Sequence, residues 1–331
     1  MDWLSTSAEL LVEDSIGVFF DPRQRVFGPS LASSALLAVV VLLLARRGRP
    51  NKARFIARFL LDRRVWLHPS ARLDYRLLFA NALVRLVLVA PLGLSAYALA
   101  AGVVSSLDRL LGPPSPSAWP SAAVAALYTV VLFVAWDLSR YLLHRLCHEV
   151  PFLWELHKVH HSAEVLTPLT LFRVHPVERF LFALRGVLVT GLVTGVFFYF
   201  FRERAVQYEL LGVNAAGFLF NVVGSNLRHS HVWLSYGRRL EHLFISPAQH
   251  QIHHSTRPEH QKRNYGTWLA LWDWMGGSLH VTTPSREPLR FGLDREELNH
   301  DPHQLLSSLL EPMATAPARL FGARRASTTS D

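Results

Sequence analysis

The sequence is poor in cysteine and in charged residues. A single cysteine, Cys147, excludes an internal disulfide and a cysteine-ligated iron–sulfur cluster, so nothing points to an oxidising compartment. Charged residues make up only 18% of the 331 residues, whereas an average soluble domain has about 25%. Half of the residues are hydrophobic, and the mean hydropathy is +0.19. These values exclude a disordered, collagen-like or disulfide-stapled chain.

Several cofactor and catalytic motifs are also missing. The sequence has no HExxH, no GxGxxG of the flavin-binding type and no His-Pro-Gly-Gly haem motif. It therefore carries no built-in flavin or cytochrome b5 domain, and a zinc protease is not indicated. Lysine is scarce as well, with 3 lysines against 31 arginines, which predicts a GC-rich and hence bacterial genome.

Long uncharged runs are the first positive feature. A helix of about 20 apolar residues spans the hydrocarbon core of a membrane. The third run contains a Pro/Ser-rich turn, so its helix is expected to begin near Ala118, and Pro91 is expected to kink the second. The last two runs predict a helical hairpin that crosses the membrane or dips in and returns. The runs cover residues 26–45, 86–107, 110–136, 186–201 and 210–227.

The predicted fold is all-α, a polytopic membrane helix bundle of about four to five spans, some of them hairpins, with a cytoplasmic helical cap rich in histidine. Three regions are expected. Residues 1–118 form an N-terminal membrane region, residues 119–284 form the main domain, and residues 285–331 form a cytoplasmic extension whose segment 315–331 is a disordered tail.

The charge distribution predicts the orientation. The net charge is +9, and residues 46–76 hold ten Lys or Arg, whereas residues 1–25 hold five acids and two arginines. The positive-inside rule then places the N-terminus outside and every histidine after residue 140 on the cytoplasmic face of a bacterial inner membrane. A plainer alternative is that 26–45 is an uncleaved signal anchor. Because the basic residues lie at membrane boundaries, nucleic-acid binding is not expected.

Histidine is abundant, with 17 residues, and eight of them form three patterns. Residues three and four apart share one face of a helix, so each pattern can direct its imidazoles toward one point. Chance predicts only about 0.04 HxxHH matches per chain, and this chain has two. The patterns are HxxxH at His144 and His148, HxxHH at His157, His160 and His161, and HxxHH at His250, His253 and His254.

Eight imidazoles exceed the ligand set of one ion and fit two ions with about four ligands each. Imidazole binds zinc, iron, copper and nickel, so the residue types alone do not decide between iron and zinc. The open alternatives are a dizinc membrane hydrolase and a metal-binding or metal-transporting membrane protein. A bis-histidine haem carrier is less consistent with the pattern, because the long apolar runs contain no histidine.

The three histidine patterns resemble those of the fatty acid hydroxylase/sterol desaturase superfamily, which comprises membrane non-haem diiron enzymes. The resemblance covers about residues 119–282. Further matching segments surround the histidines. They are Asp137-x3-Tyr141-x2-His144-Arg145, Arg173-Val174-His175-Pro176-x-Glu178, Pro247-x2-His250, Asn264-Tyr265-Gly266 and Leu271-Trp272-Asp273.

This resemblance implies an O2-dependent enzyme with two iron ions, or zinc in the same site, that acts on a membrane lipid. Hydroxylation of an unactivated C–H bond is the favoured reaction, and desaturation is the alternative. Candidate substrates are acyl chains, ornithine lipids, ether lipids and sterol or hopanoid skeletons, among which the sequence does not choose. Because the chain lacks its own redox cofactor motif, a separate ferredoxin or cytochrome-type reductase is expected to supply electrons.

The resemblance also suggests His229 and His231 as further ligands. Asp137 and Tyr141 share the helix face of His144, and Asp137 is predicted to orient a ligand histidine. Asp273 is expected to do the same or to cap a turn, and Cys147 to pack as a small buried residue. His175 is either a weak ligand candidate or a helix start. The remaining histidines are predicted to be solvated, namely His68, His242, His260, His280, His300 and His303.

Overall fold

The computed structural model describes residues 15–84, 96–211, 213–283, 286–294, 297 and 301–320, and these are mostly helical, as predicted. The first helices are α1 (Gly28–Ala45), α2 (Lys52–Leu60), α3 (Arg63–Trp66), α4 (Pro69–Val84), α5 (Ala96–Leu111) and α6 (Ser121–Glu149). The later ones are α7 (Pro151–His161), α8 (Pro176–Phe201), α9 (Ala215–Val222), α10 (Pro247–His253), α11 (Leu271–Met275) and α12 (Leu305–Leu320).

Three of the described helices are long and apolar enough to cross a membrane. These are α1 with 18 residues, α6 with 29 and α8 with 26, and their mean hydropathies are 2.1, 1.8 and 2.0. Helix α6 begins directly after Pro120, close to the predicted start near Ala118, because the Pro/Ser-rich segment before it cannot continue a helix. These three helices are consistent with an integral membrane protein.

Helices α5 and α8 pack closely through glycine. A Cβ atom at Gly191 would lie 2.7 Å from Leu99, and one at Gly195 would lie 2.6 Å from Val103. Small residues spaced four apart allow this close approach of two helix backbones. Helix α5 overlaps the predicted span 86–107, of which residues 86–95, including Pro91, lie outside the described part of the chain.

The second arm of the predicted helical hairpin is not a long helix. Residues 210–227 instead begin with a two-stranded antiparallel sheet, β1 (Glu209–Leu210) and β2 (Val213–Asn214), followed by the eight-residue helix α9. The Asn214 side chain caps α9 by accepting from Gly217 N–H, and Gly224, with a φ of 73°, follows the helix end. Eight residues rise only about 12 Å, too little to cross a bilayer.

Helices α4, α7 and α12 and the turns near them support the histidine-bearing end of the bundle. The fully buried Arg173 pairs with Asp74 at 3.2 Å, which ties the segment before α8 to α4. Helix α12 packs on α7, where Thr315 and Arg319 both bond to Glu155. Residues 315–320, expected in a disordered tail, therefore belong to a packed helix.

Candidate metal centre

Three helix ends carry the histidines predicted from the HxxxH and HxxHH patterns. His144 and His148 lie in the last turns of α6, and His157, His160 and His161 end α7. The second HxxHH lies at the end of α10, where a capping box between Ser246 and Gln249 fixes the start of this short helix. The negative ends of the three helix dipoles favour a bound cation.

The structure brings these eight residues together with His229 in two neighbouring groups. In each group, the candidate ligand atoms lie within 4.8 Å of one another. All of these side chains are buried except that of His148, which is partly exposed. The five-histidine group is His144, His148, His157, His161 and His253, and the four-histidine group is His160, His229, His250 and His254.

Backbone carbonyls fix the orientation of three of these rings. The Nδ1 atoms of His144 and His253 each lie 2.7 Å from a carbonyl oxygen, those of Tyr265 and Arg263 respectively. The Nδ1 atom of His160 lies 3.1 Å from the carbonyl oxygen of Arg173. Since a carbonyl only accepts, Nδ1 carries the proton in each ring, and Nε2 presents a lone pair toward the other histidines.

The Nε2 atoms within each group face one another at distances that suit ligands of a common ion. His144 Nε2 lies 3.1 Å from His253 Nε2, and His229 Nε2 lies 2.9 and 3.2 Å from the Nε2 atoms of His250 and His254. Two lone pairs at this distance repel, and a cation between them removes the repulsion. Ligands held at about 2.1 Å from an ion and roughly 90–110° apart would be about 3.0–3.4 Å from each other.

Other ring nitrogens in the centre have no hydrogen-bond partner among the described residues. They include the buried Nε2 atoms of His148, His157 and His161. Buried polar atoms are rarely left without a partner, and a metal ion would supply one. The donor set therefore fits two divalent metal ions, and the residues would hold them in groups of five and four.

The protonation state of the centre also suits metal binding. Burial lowers the pKa of His160, His161, His229, His250 and His254 well below the ordinary value, and it lowers that of His253 to about 3. The neighbouring imidazoles add to this effect because their charges would repel. At neutral pH these rings are uncharged, with one nitrogen free of a proton, which is the form that ligates metals.

Glu178, on the first turn of α8, is a site residue that the sequence did not reveal as such. Its Oε1 lies 2.7 Å from His157 Nδ1, and both side chains are buried. A carboxylate that accepts from a ligand histidine fixes the ring and makes it a stronger ligand. The segment Arg173 to Glu178 had been noticed only for its family resemblance, because 21 residues separate Glu178 from His157 along the chain.

Neither Asp137 nor Asp273 hydrogen-bonds to a histidine within the described part of the chain. Direct orientation of a ligand by Asp137 is therefore not seen, and Asp273 has the turn-holding role that was its alternative. Asp137 accepts from the backbone N–H groups of Trp268 and Leu269 and from the indole of Trp272. Asp273 accepts from the N–H groups of Tyr265 and Gly266 and from the Ser278 hydroxyl, and burial raises its pKa to about 6. Both carboxylates hold the loop whose Tyr265 carbonyl bonds to His144.

Tyr141 is buried, and its hydroxyl lies 3.0 Å from a guanidinium nitrogen of Arg145. Its ring meets the edge of the Tyr265 ring. It thus packs beneath the same loop, on the His144 side of α6, and does not reach a histidine ligand atom through a hydrogen bond. Cys147 is buried beside His157 and Glu178, which matches its expected packing role.

His231 does not join either histidine group, although it had been suggested as a ligand. Its Nε2 lies 2.7 Å from the Phe59 carbonyl oxygen, and its ring packs on the Phe59 ring. His175 begins α8, where its Nδ1 accepts from Val177 N–H, so the helix-start interpretation is correct.

His260 was expected to be solvated, but it is 1% exposed and lies 3.1 Å from Glu287. His300 lies outside the described residues.

A cavity of about 620 Å³ lies against both histidine groups. Its walls include His144, His157 and His160 at one side and apolar residues of α6 and α8, such as Phe133 and Phe182, at the other. Cavities of this size and character bind small organic molecules or single lipid chains. An apolar chain in the cavity would therefore lie next to metal ions held by the histidines.

Comparison with known proteins finds relatives whose names describe oxidative enzymes. An alkylglycerol monooxygenase of Xenopus tropicalis is 25% identical over 52% of this chain and 34% of its own length. The ornithine lipid hydroxylase OlsE of Rhizobium tropici is 28% identical over 49% of the chain and 44% of its own length. A Delta(7)-sterol 5(6)-desaturase of Eremothecium gossypii is 31% identical over 47% of the chain and 37% of its own length.

The chain thus covers between a third and a half of the length of these relatives. No solved structure gives a significant match. The family model of the fatty acid hydroxylases matches residues 129–278, which contain all nine histidines of the two groups. Residues 129–278 therefore match the domain that defines the fatty acid hydroxylase family.

Proposed function

We propose that this protein is an O2-dependent membrane enzyme that hydroxylates an unactivated C–H bond of a lipid. The observation that carries the proposal is the pair of buried histidine groups against an apolar cavity of about 620 Å³. The names of the relatives support it, since they include a monooxygenase and a lipid hydroxylase.

The reaction consumes one O2, two electrons and two protons for each C–H bond that becomes C–OH, with water as the second product. O2 gains four electrons in total, two from the C–H bond and two from an external donor. Two iron ions bound by the histidines would supply the redox chemistry. The chain's own residues hold the ligands, bind the lipid and exclude water from the cavity.

Iron is the proposed metal, with zinc as a possible occupant of the same ligands. The five-histidine group, supported by Glu178, would hold one ion, and the four-histidine group would hold the other. Iron accounts for the redox reactions named in the relatives, whereas two zinc ions would support only hydrolysis. A separate ferredoxin or cytochrome-type reductase is the proposed electron donor.

Desaturation is the second candidate, and the match to sterol desaturases favours it. The same metal site would serve both reactions, because removal of a first hydrogen is common to them. The outcome then depends on whether a hydroxyl group is transferred or a second hydrogen is lost. Hydroxylation remains the primary proposal, since the relatives include hydroxylases that act on several kinds of lipid.

The proposed location is a bacterial inner membrane with the histidine end in the cytoplasm. Ten Lys or Arg within residues 46–76 support this orientation through the positive-inside rule. We assign crossings to α1, α6, α8 and the segment that includes α5. The part of the chain between α8 and His229, whose helix α9 packs on α1 and α6, would return the chain to the histidine side. Residues 119–284 are the proposed catalytic domain, preceded by membrane region 1–118 and followed by extension 285–331.

Mass spectrometry of lipid extracts tests the proposal. Cells of the native host with and without the gene are compared, and the deletion strain is complemented with wild type or with His160→Ala. We expect one lipid to disappear on deletion and to be restored by wild type alone. This lipid should be heavier than its precursor by one oxygen atom. A product lighter by two hydrogens would support the desaturase instead.

An unchanged lipid profile, with iron and oxygen supplied, would contradict both oxidative reactions. Metal analysis of the purified protein would then separate a dizinc hydrolase from a metal-binding membrane protein. Restoration of the lipid by His160→Ala would contradict the placement of the active site, because His160 belongs to the four-histidine group.

A further inference from the structure

The cavity beside the metal centre carries a large excess of positive charge. Its described lining residues include six arginines and one carboxylate, that of Glu178, which accepts from His157. Four of the arginines come from four separate parts of the fold, namely Arg25 before α1, Arg140 on α6, Arg185 on α8 and Arg228 before His229. Desolvated walls strengthen the positive potential that these side chains create.

The nearby Asp137 does not neutralise this charge. Its carboxylate interacts electrostatically with all four arginines. Its two oxygens, however, already accept from Trp268 N–H, Leu269 N–H and the Trp272 indole. A single carboxylate, whose oxygens already accept three hydrogen bonds, therefore faces four positively charged guanidinium groups.

Some of these guanidinium groups have donors without acceptors. The Nε atoms of Arg185 and Arg228 are buried and have no hydrogen-bond partner among the described residues, and Arg228 is only 3% exposed. The Arg25 side chain likewise makes no hydrogen bond to the described part of the chain. Buried N–H donors without acceptors are costly, so an acceptor from a ligand would relieve them.

The cations also act on one another. Burial lowers the pKa of the Arg25 guanidinium, and the positive charges of Arg140 and Arg228 lower it further. The three cations therefore lie within electrostatic range of one another, and all three line the same cavity. Such an arrangement costs stability when the cavity is empty and becomes favourable when an anion enters.

Aromatic rings hold two of the guanidinium groups in place. The Arg185 guanidinium lies 4.2 Å from the centre of the Trp136 ring, and that of Arg140 lies 5.0 Å from the centre of the Phe182 ring. Arg185 also donates to the Trp136 carbonyl and the Ser139 hydroxyl, and Arg140 Nε donates to the Thr267 hydroxyl. The remaining N–H edge of each guanidinium is left for the paired oxygens of a carboxylate or phosphate. The position of Arg140, one helical turn before His144, places this edge near the metal centre.

We propose that the cavity selects a lipid with an anionic group, a phosphate or a carboxylate, which is bound by Arg25, Arg140, Arg185 and Arg228. This proposal rests on the proposed lipid-oxidising function and narrows its substrate class. The hydrocarbon part would lie against the aromatic and aliphatic walls, among them Phe133 and Trp268. Neutral sterols and neutral glycerol ethers lack the group that these arginines bind.

Binding measurements on the zinc-loaded protein in a neutral detergent test the proposal without turnover. The probes are a short-chain phosphatidic acid, a fatty acid of the same chain length and the matching neutral diacylglycerol. Isothermal titration compares wild type with Arg140→Gln and Arg25→Gln. The exposed Arg58→Gln is the control, because it removes the same charge from a helix away from the cavity.

We expect wild type and Arg58→Gln to bind an anionic probe at least tenfold more tightly than the diacylglycerol. We expect this preference to fall at least tenfold in Arg140→Gln and in Arg25→Gln. Tight binding of phosphatidic acid alone would assign a phosphate, and tight binding of the fatty acid as well would assign a general anion site. Equal binding of charged and neutral probes by wild type, or an unchanged preference in both cavity variants, would overturn the proposal.

The result is separable from the proposed function. Absence of the anion preference in a wild-type protein that still oxidises a lipid would refute only the substrate class. A retained preference in a protein that never oxidises a lipid would refute only the reaction. Metal content and thermal melting of each variant establish whether it is folded. If Arg140→Gln fails to fold, Arg25→Gln decides the test, because the Arg25 side chain makes no hydrogen bond to a described residue.

Discussion

Single residues decide which ring nitrogen of each histidine carries a proton and which faces the centre. In four of the rings the Nδ1 atom donates a hydrogen bond to an oxygen, which leaves Nε2 for a metal. The acceptors are the carbonyl oxygens of Arg173, Arg263 and Tyr265 and the carboxylate of Glu178. The carboxylate differs from the carbonyls because its charge also strengthens the ligand. The ion held by the five-histidine group should therefore depend on a residue that does not touch it.

Replacing Glu178 by Gln tests this dependence. The amide oxygen can still accept from His157, but the charge is lost, so we expect metal affinity to fall about ten- to hundredfold. Competition with a chelator of known affinity measures the change. Glu149→Gln is the matched control, because Glu149 is exposed and its ion pair within the described part of the chain is with Arg145. Equal affinities of the two variants would show that the Glu178 charge does not support the ligand.

His229 and His231 form a natural pair for comparison. His229→Ala removes a member of the four-histidine group, so we expect the purified protein to lose one metal ion per chain and its activity. His231→Ala removes a hydrogen bond to the Phe59 carbonyl, which costs about 1 kcal/mol of stability, and should leave the metal content unchanged. Elemental analysis of both proteins checks this, and metal loss in the His231 variant would contradict the assignment.

The sequence predicted which residues converge where their spacing is local. In a helix, intervals of three and four residues fix a common face, so the eight patterned histidines could be identified without a structure. His229 and His231 lie outside a regular helix, where spacing does not fix direction, and family resemblance suggested both. Glu178 was missed because its contact with His157 is made by tertiary folding, and sequence spacing carries no signal for it.

At the scale of secondary-structure elements, glycine sets how closely the membrane helices approach. Gly195 on α8 faces Val103 and Ala100 on α5, whereas Gly102 on α5 has no atom within 4 Å of an added Cβ. The same substitution at these two sites should have opposite effects. Alanine favours a helix over glycine by about 1 kcal/mol at either site, but only at Gly195 does the added methyl group clash.

Gly195→Ala is expected to lower the melting temperature, since overpacking costs about 1–3 kcal/mol and exceeds the gain in helix propensity. Gly102→Ala should leave the melting temperature unchanged or raise it slightly. Thermal unfolding in detergent, followed by circular dichroism, compares the two variants with wild type. A loss of stability in Gly102→Ala equal to that in Gly195→Ala would show that the close packing of α5 and α8 is not responsible.

Long apolar runs predicted α1, α6 and α8, because length and hydropathy suffice for a helix of 18 residues or more. The same reasoning failed for residues 210–227, which form two short strands and α9. Asn214 at the start of α9 and Gly224 after its end are the local signals that outweighed the apolar composition. Uncharged composition alone does not distinguish a spanning helix from an apolar loop and short helix.

At the scale of the whole molecule, the fold brings the two buried histidine groups to one end of a bundle of apolar helices, with a cavity between them. Each element has a part in this arrangement. Helices α6 and α8 form walls of the cavity, α7 and α10 carry the two HxxHH patterns, and the loop before α11 supports His144 through Tyr265. This arrangement would allow a lipid chain to reach the metals without passing through water.

The measurement that tests this account most directly follows an atom of O2 into a lipid. Purified protein loaded with iron receives host lipid extract, a ferredoxin-type electron donor and O2 enriched in oxygen-18, with His160→Ala as the control. The account predicts a lipid product that carries one oxygen-18 atom and forms only with wild type. Absence of labelled lipid, with iron and electrons supplied, would contradict the proposed hydroxylation. If an unlabelled product that has lost two hydrogens forms instead, the reaction is desaturation.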